Sequence, residues 1–161
     1  IKNYTFYAIT VMYENEDEIH MKLYKSAMVK KESKLNIKNI NTTNIFTLVD
    51  LAISTSKIKN DISFTKNYDP SIPEFKLDAS SFIKTLNSVF EVFKNKNNVA
   101  CSILLKIGEY IKIDNIKYSL ISVEIVANEE SDFSSLNIKE TNSFILTYDD
   151  TKVTIDLPLI L

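Results

Sequence analysis

The 161-residue chain contains no Trp, Gln or Arg, one Gly (Gly108), one His (His20), one Cys (Cys101) and three Pro (Pro70, Pro73, Pro158). A single glycine cannot supply the G-x-G-x-x-G turn, the G-x-x-x-x-G-K-[ST] phosphate cradle or the G-x-S-x-G elbow, whose backbones need positive φ or close approach at several positions. One His and one Cys cannot assemble a Cys₄, Cys₂His₂ or His₃ zinc site, which takes three or four such ligands. The lone cysteine leaves no disulfide within the chain, which favours a reducing compartment and a cytoplasmic or otherwise intracellular setting. No run of eighteen apolar residues is present, so no membrane span is expected. Without arginine, the bidentate guanidinium contacts that read phosphate and guanine are missing, and nucleic-acid binding by the isolated domain is not expected.

What is present is a balanced, mildly acidic chain. Nineteen basic residues, all lysine, stand against twenty-one acidic ones, for a formal net charge of −2. Hydrophobic residues make up 45%, enough for one soluble globular domain with a sizeable core. The lysine and asparagine bias beside absent arginine is what codon usage in an A/T-rich genome produces. Two glycosylation sequons, at Asn3 and Asn41, match what chance provides in so asparagine-rich a chain.

Local patterning predicts a hairpin over residues 4–24, with an acidic turn Glu14-Asn15-Glu16-Asp17-Glu18 and His20 on the more polar face of the second arm. A helix follows at about 43–58, capped by Thr43 or Asn44, whose apolar residues cover more than half its circumference. A short strand at residues 62–64 leads to the connector Asp69-Pro70-Ser71-Ile72-Pro73. Asp78 caps a second helix, to about residue 94, with Phe82, Ile83, Leu86, Val89, Phe90 and Phe93 at helical spacing. A meander then turns at Gly108-Glu109, where a type II′ turn wants positive φ, and at Asp114-Asn115, which suits type I′. Residues 128–142 form a polar, partly acidic loop of a length that is usually functional or disordered, and a hairpin turning at residues 149–151 closes the chain. The fold class is therefore α+β, a mainly antiparallel sheet built from hairpins and a meander with two helices. The chain reads as a single domain over 1–161, with a sub-division into 1–68 and 74–161 at the Asp69–Pro73 connector as the alternative.

Candidate chemistry is sparse. The acidic turn and the Asp149-Asp150 pair read as solvated hairpin tips rather than calcium sites. Glu74-Phe75-Lys76 with Asp61 or Asp69 resembles the acidic pair plus lysine of metal-dependent nucleases, but Pro70 and Pro73 deny the carboxylates a rigid strand. His20 lacks a nucleophile beside it, and Cys101, within an apolar strand, reads as an inert buried thiol. No catalytic residue, cofactor or metal is expected.

The stretch from Phe75 to Val126, a capped helix followed by an antiparallel meander, is similar to one helix-plus-strands unit of sliding-clamp processivity factors. The resemblance covers about a third of the chain and rests on no motif. It implies a nucleic-acid-associated accessory factor working within a complex. The leading expectation is instead a non-catalytic protein-protein interaction or assembly module, part of a larger protein or complex and not an enzyme. Its partner would be another protein or a second copy, bound through Phe46, Leu48, Leu51 and Ile53 on the strongly apolar first helix.

Overall fold

The computed structural model describes residues 40–56, 63–136 and 143–161. The expected hairpin at residues 4–24, with its acidic turn and His20, lies outside them. The described elements run β1 (Asn41–Thr43), α1 (Ile45–Thr55), β2 (Ser63–Tyr68), β3 (Phe75–Leu77), α2 (Ala79–Phe93), β4 (Asn98–Ile113), β5 (Ile116–Ala127), a short 3₁₀ turn (Phe133–Ser135), β6 (Ile145–Tyr148) and β7 (Lys152–Pro158). The main sheet has the order β2-β4-β5-β7-β6, and β1 pairs with β3 apart from it.

Both helices begin where a side chain can satisfy an orphaned backbone donor. Asn44 Oδ1 accepts from the Thr47 amide at 3.1 Å and Asp78 Oδ1 from the Ser81 amide at 3.1 Å, the bonds that make Asn and Asp favoured N-caps. Desolvation pushes the Asp78 carboxyl upward, but hydrogen bonds from Ser81 and Ser143, with the charge of Lys84, together hold it below the usual carboxylate range. Helix α2 then buries Phe82, Leu86, Val89, Phe90 and Phe93 completely, the stripe its periodicity announced.

That stripe lies on one face of the sheet. Val99, Cys101 and Ile103 of β4, Ile121, Val123 and Ile125 of β5, and Val153, Ile155 and Leu157 of β7 join one core with Ile45, Val49 and Ala52 of α1. They alternate along each strand, as the period of two requires, and Val123 stands opposite both Ile103 and Ile155 in the ladder. The architecture is two-layered: helices over a mixed α+β sheet.

The expectation of a mainly antiparallel sheet agrees with this, with one addition. Strands β2 and β4 pair in parallel, from Ser63 opposite Asn98 to Tyr68 opposite Ile103. A parallel pair needs a crossover rather than a tight turn, and here the Asp69–Pro73 connector, β3 and α2 supply it. The crossover places α2 across the sheet.

The meander departs from expectation at Gly108. Strand β4 does not turn back there but continues to Ile113, pairing with β5 throughout. The register steps from Lys106 opposite Leu120 to Tyr110 opposite Ser119, so Ile107, Gly108 and Glu109 are extruded as a bulge. Gly108 has the positive φ foreseen, +82°, used for a bulge instead of a turn because both flanks pair with the same strand. Asp114 and Asn115, at φ 48° and 67°, form the foreseen turn, and Asp149 caps the last one by accepting from the Thr151 and Lys152 amides at 3.0 and 2.9 Å.

Two substitutions test this packing in chemical denaturation. Phe90→Ala removes a fully buried ring set edge-on to Phe64 at 5.8 Å and is expected to cost about 3–5 kcal/mol. Gly108→Ala meets nothing within 4 Å, so its loss should be the backbone strain alone, about 1–2 kcal/mol.

Candidate functional site

The site grows from the C-terminal end of α2. Phe93, the last helical residue, is fully buried and meets Phe133 edge-on at 5.5 Å, while Phe133 in turn packs on Tyr148 at 5.4 Å. These rings hold the acidic loop that follows β5 against the end of the helix. Backbone bonds fix it further: the Ser131 amide donates to Asp150 O at 2.7 Å and the Ala127 amide to Thr151 O at 3.0 Å. Asp132 Oδ1 accepts from the Ser134 amide at 2.9 Å and caps the 3₁₀ turn. Its hydrogen bonds from Ser134 keep that carboxyl below its usual range and charged near neutrality.

Between helix end and loop lies a cleft of about 460 Å³, lined by Ser88, Glu91, Val92, Lys94, Asn95, Lys96, Glu130, Ser131 and Asp132. Lys96 crosses it, donating to Glu130 O at 2.6 Å and pairing with Glu129 at 3.6 Å. Lys94 pairs with Glu91 on the helix surface. Ser131 Oγ is buried and has no hydrogen-bond partner among the described residues. The lining thus offers two ammonium groups, an amide side chain, two hydroxyls and three carboxylates. Among the described residues no three His, Cys, Asp or Glu side chains converge to hold a metal ion by themselves.

A second polar cluster ties α1 to β2. Asp50 Oδ1 accepts from Lys66 Nζ at 2.7 Å and from the Tyr68 hydroxyl at 2.9 Å. The Lys66 hydrogen bond lowers the Asp50 pKa, against partial desolvation. Burial, with the nearby Cys101 and Asp50, pushes the Tyr68 phenol upward. Cys101 beneath it is buried, and desolvation followed by Asp50 pushes its thiol up to about 12, leaving a protonated, unreactive group.

The residues proposed from sequence for partner binding do not form one exposed face. Phe46 is half-buried, stacked on Tyr68 at 5.4 Å, and Leu48 and Ile53 pack against the core. Only Leu51, 47% exposed, stands clear. The helix is apolar on several sides because β2 and α2 cover it. The nuclease-like set also dissolves: Asp69 Oδ1 accepts from the Ser71 amide and hydroxyl, Lys76 Nζ donates to Leu161 O at 3.0 Å, Glu74 is exposed in the connector, and Asp61 lies outside the described residues.

Sequence reasoning did not assemble the cleft. Its one signal was the length and polarity of the loop from Asn128, and no spacing rule links that loop to Lys94 and Lys96, more than thirty residues earlier.

No protein-family model and no curated protein matches the chain. Among solved structures it is similar to the Acinetobacter baumannii histidine kinase AdeS, with 8% identity and a TM-score of 0.53 over 91% of this chain and 87% of that one. The cytoplasmic segment of histidine kinase QseC (6% identity, 92% of this chain and 98% of that one, TM-score 0.47) and the histidine kinase domain of the E. coli osmosensor EnvZ (12%, 75% and 89%, 0.46) are weaker likenesses that carry no weight. The likeness to AdeS overturns the expectation of a non-catalytic interaction or assembly module, the clamp-like alternative, and the reading that the chain is not an enzyme. The fold is one that a kinase uses. Sequence reading leaned on the absence of glycine-rich phosphate loops, and this fold forms in a chain with a single glycine.

The α1 anchor has a pH signature. Because Asp50 titrates lower folded than unfolded, its contribution is fully present above its ordinary value near 3.8 and is lost as pH falls through the folded value. Thermal melts should show stability falling across that acidic window, and Asp50→Asn should flatten the fall.

Proposed function

We propose that this chain is a nucleotide-binding domain of the histidine-kinase type, acting as a kinase or ATPase, with ATP taken up between the end of α2 and the loop at residues 129–132. The observation that carries this reading is a fold shared with AdeS over 91% of the chain, together with a cleft of about 460 Å³ that has Lys94 and Lys96 in its lining. That volume lies within the range of about 300–1,000 Å³ usual for small-molecule sites.

The residues present fit a phosphate-bearing ligand. Lys94 and Glu91 are about half exposed, and exposed ion pairs are worth only about 0–1 kcal/mol, so Lys94 can exchange its carboxylate for a phosphate at little cost. Lys96 is less exposed, and its contact with Glu129 is long at 3.6 Å. Asn95 and Ser88 add neutral hydrogen-bonding groups. Magnesium is commonly bound by one or two carboxylates plus the phosphates of a substrate, and Glu91 is the α2 carboxylate in the lining. Bound ATP would supply the phosphoryl group; the chain's own part is to hold and orient it.

No described helix is long and apolar enough to cross a membrane. An intracellular setting, where ATP is abundant and Cys101 stays reduced, goes with this reading. Self-association with a second copy would run through the outer face of α1 around Leu51, supported by that residue's 47% exposure.

Isothermal titration with magnesium-ATP tests the proposal. Saturable binding is expected, weakened roughly tenfold or more in Lys94→Ala or Lys96→Ala, the scale of a lost hydrogen bond to a charged group. No binding at millimolar nucleotide, or full affinity in both variants, would refute it. Light-scattering mass tests the second copy: a wild-type dimer should become a folded monomer in Leu51→Glu, and a monomeric wild type would remove this part of the reading.

A further inference from the structure

The face of the sheet turned away from α1 and α2 is shielded from water. An antiparallel sheet packed on one side ordinarily presents polar, solvated residues on the other. Here Ile111, Ile113 and Leu120 form a second apolar cluster and are only 4, 3 and 3% exposed, with Tyr118 and Ile145 packed against them. Two positions along β5 from Leu120, Ser122 is 2% exposed and donates to Asp156 of β7 at 2.6 Å, itself 8% exposed. Lys106 pairs with Glu124 at 2.7 Å on the same face. Leu120 and Ser122 alternate with Ile121 and Val123, and Asp156 with Ile155 and Leu157, all of the helix-side core, so the period of two points them outward. Among the described residues α1, α2, β3 and the 3₁₀ turn all pack into that inner core. One open layer of side chains does not dry itself to this degree, so the outer face has a cover.

We propose that this outer face is a docking surface for the chain's own residues 1–39. The described chain opens beside it: Ile40 lines a small crevice with Pro158, and Pro158 stands opposite Leu120 of the outer cluster. The segment before Ile40 therefore starts at the patch to be covered. Its sequence suits the task. Tyr7, Ile9, Val11 and Tyr13 alternate, as do Ile19, Met21 and Leu23, and such alternation predicts strands with one apolar face. The two other candidate segments are six residues each, about 20 Å at full stretch. Residues 137–142 are tied at both ends to the helix side, where Leu136 and Phe144 join the inner core. Residues 57–62 lead into β2, at the edge of the sheet opposite to Ile145 on β6. The inference is independent of the nucleotide reading, whose cleft lies at the end of α2.

Methyl NMR of the full chain tests this without any substitution. Nuclear Overhauser contacts are expected from the methyls of Ile111, Ile113, Leu120 and Ile145 to apolar side chains within residues 1–39. A sample mixing labelled and unlabelled chains separates contacts within one chain from those between copies. A soluble paramagnetic agent should broaden the four outer methyls as little as the inner Ile121 and Val123. In Leu23→Glu, a change outside the helix-side core, broadening of the outer methyls should rise severalfold while the inner ones stay as they were. Contacts confined to the cluster, contacts to residues 57–62 or 137–142, or contacts that arise only between copies would each overturn the proposal. So would outer methyls as accessible to the agent in wild type as the exposed Ile107. None of these outcomes bears on ATP binding, which the titration above decides separately.

Discussion

The phenylalanine stripe of α2 is the constraint on which the rest of the molecule hangs. Phe82, Phe90 and Phe93 are fully buried, and each such ring, removed to alanine, is worth about 3–5 kcal/mol, a large share of the stability of an ordinary domain. They set the helix against the alternate residues of β4, β5 and β7. Because α2 is also the crossover between the parallel strands β2 and β4, its position fixes the order of the sheet. Its far end fixes the cleft, since Phe93 against Phe133 determines where the acidic loop meets the helix.

A cleft built in this way differs chemically from one made by a glycine-rich loop. Backbone amides that cradle a phosphate need a chain able to take positive φ, and this chain spends its only glycine on the bulge at residue 108. Side chains are left to do the holding. Lys94 and Lys96 lie at the end of α2, where cations are favoured by the helix's C-terminal carbonyls, and each already has a carboxylate partner. On the proposed reading anions enter by exchange of partners, so affinity should depend on how readily those pairs yield.

What was legible in the sequence was local. The Asp78 cap, the α2 stripe and the Asp114-Asn115 turn each depend on residues within a few positions of one another. Positive φ at Gly108 was legible too, but not its use, since a bulge and a turn differ only in whether Leu105 and Ile111 pair with each other or both with β5. The parallel β2–β4 pair and the cleft were illegible for the same reason: Ser63 meets Asn98, and Lys96 meets Glu130, through contacts that no local spacing encodes. The apolar excess of α1 was read correctly as needing cover, and the cover came from Tyr68 and the core. Of the four residues read as a partner surface on α1, Leu51 is the one left clear.

On the proposed reading, ligand chemistry resides where α2 ends against the loop at residues 129–132. Amide NMR of the full chain titrated with magnesium-ATP is the decisive measurement. Saturable shifts are expected, concentrated at Ser88, Glu91, Lys94, Asn95, Lys96 and Glu130 through Asp132, with the bulge at Ile107 and the exposed turn of α1 at Leu51 unmoved. Shifts centred elsewhere on the sheet or on α1, or a spectrum that nucleotide leaves unchanged, would contradict it.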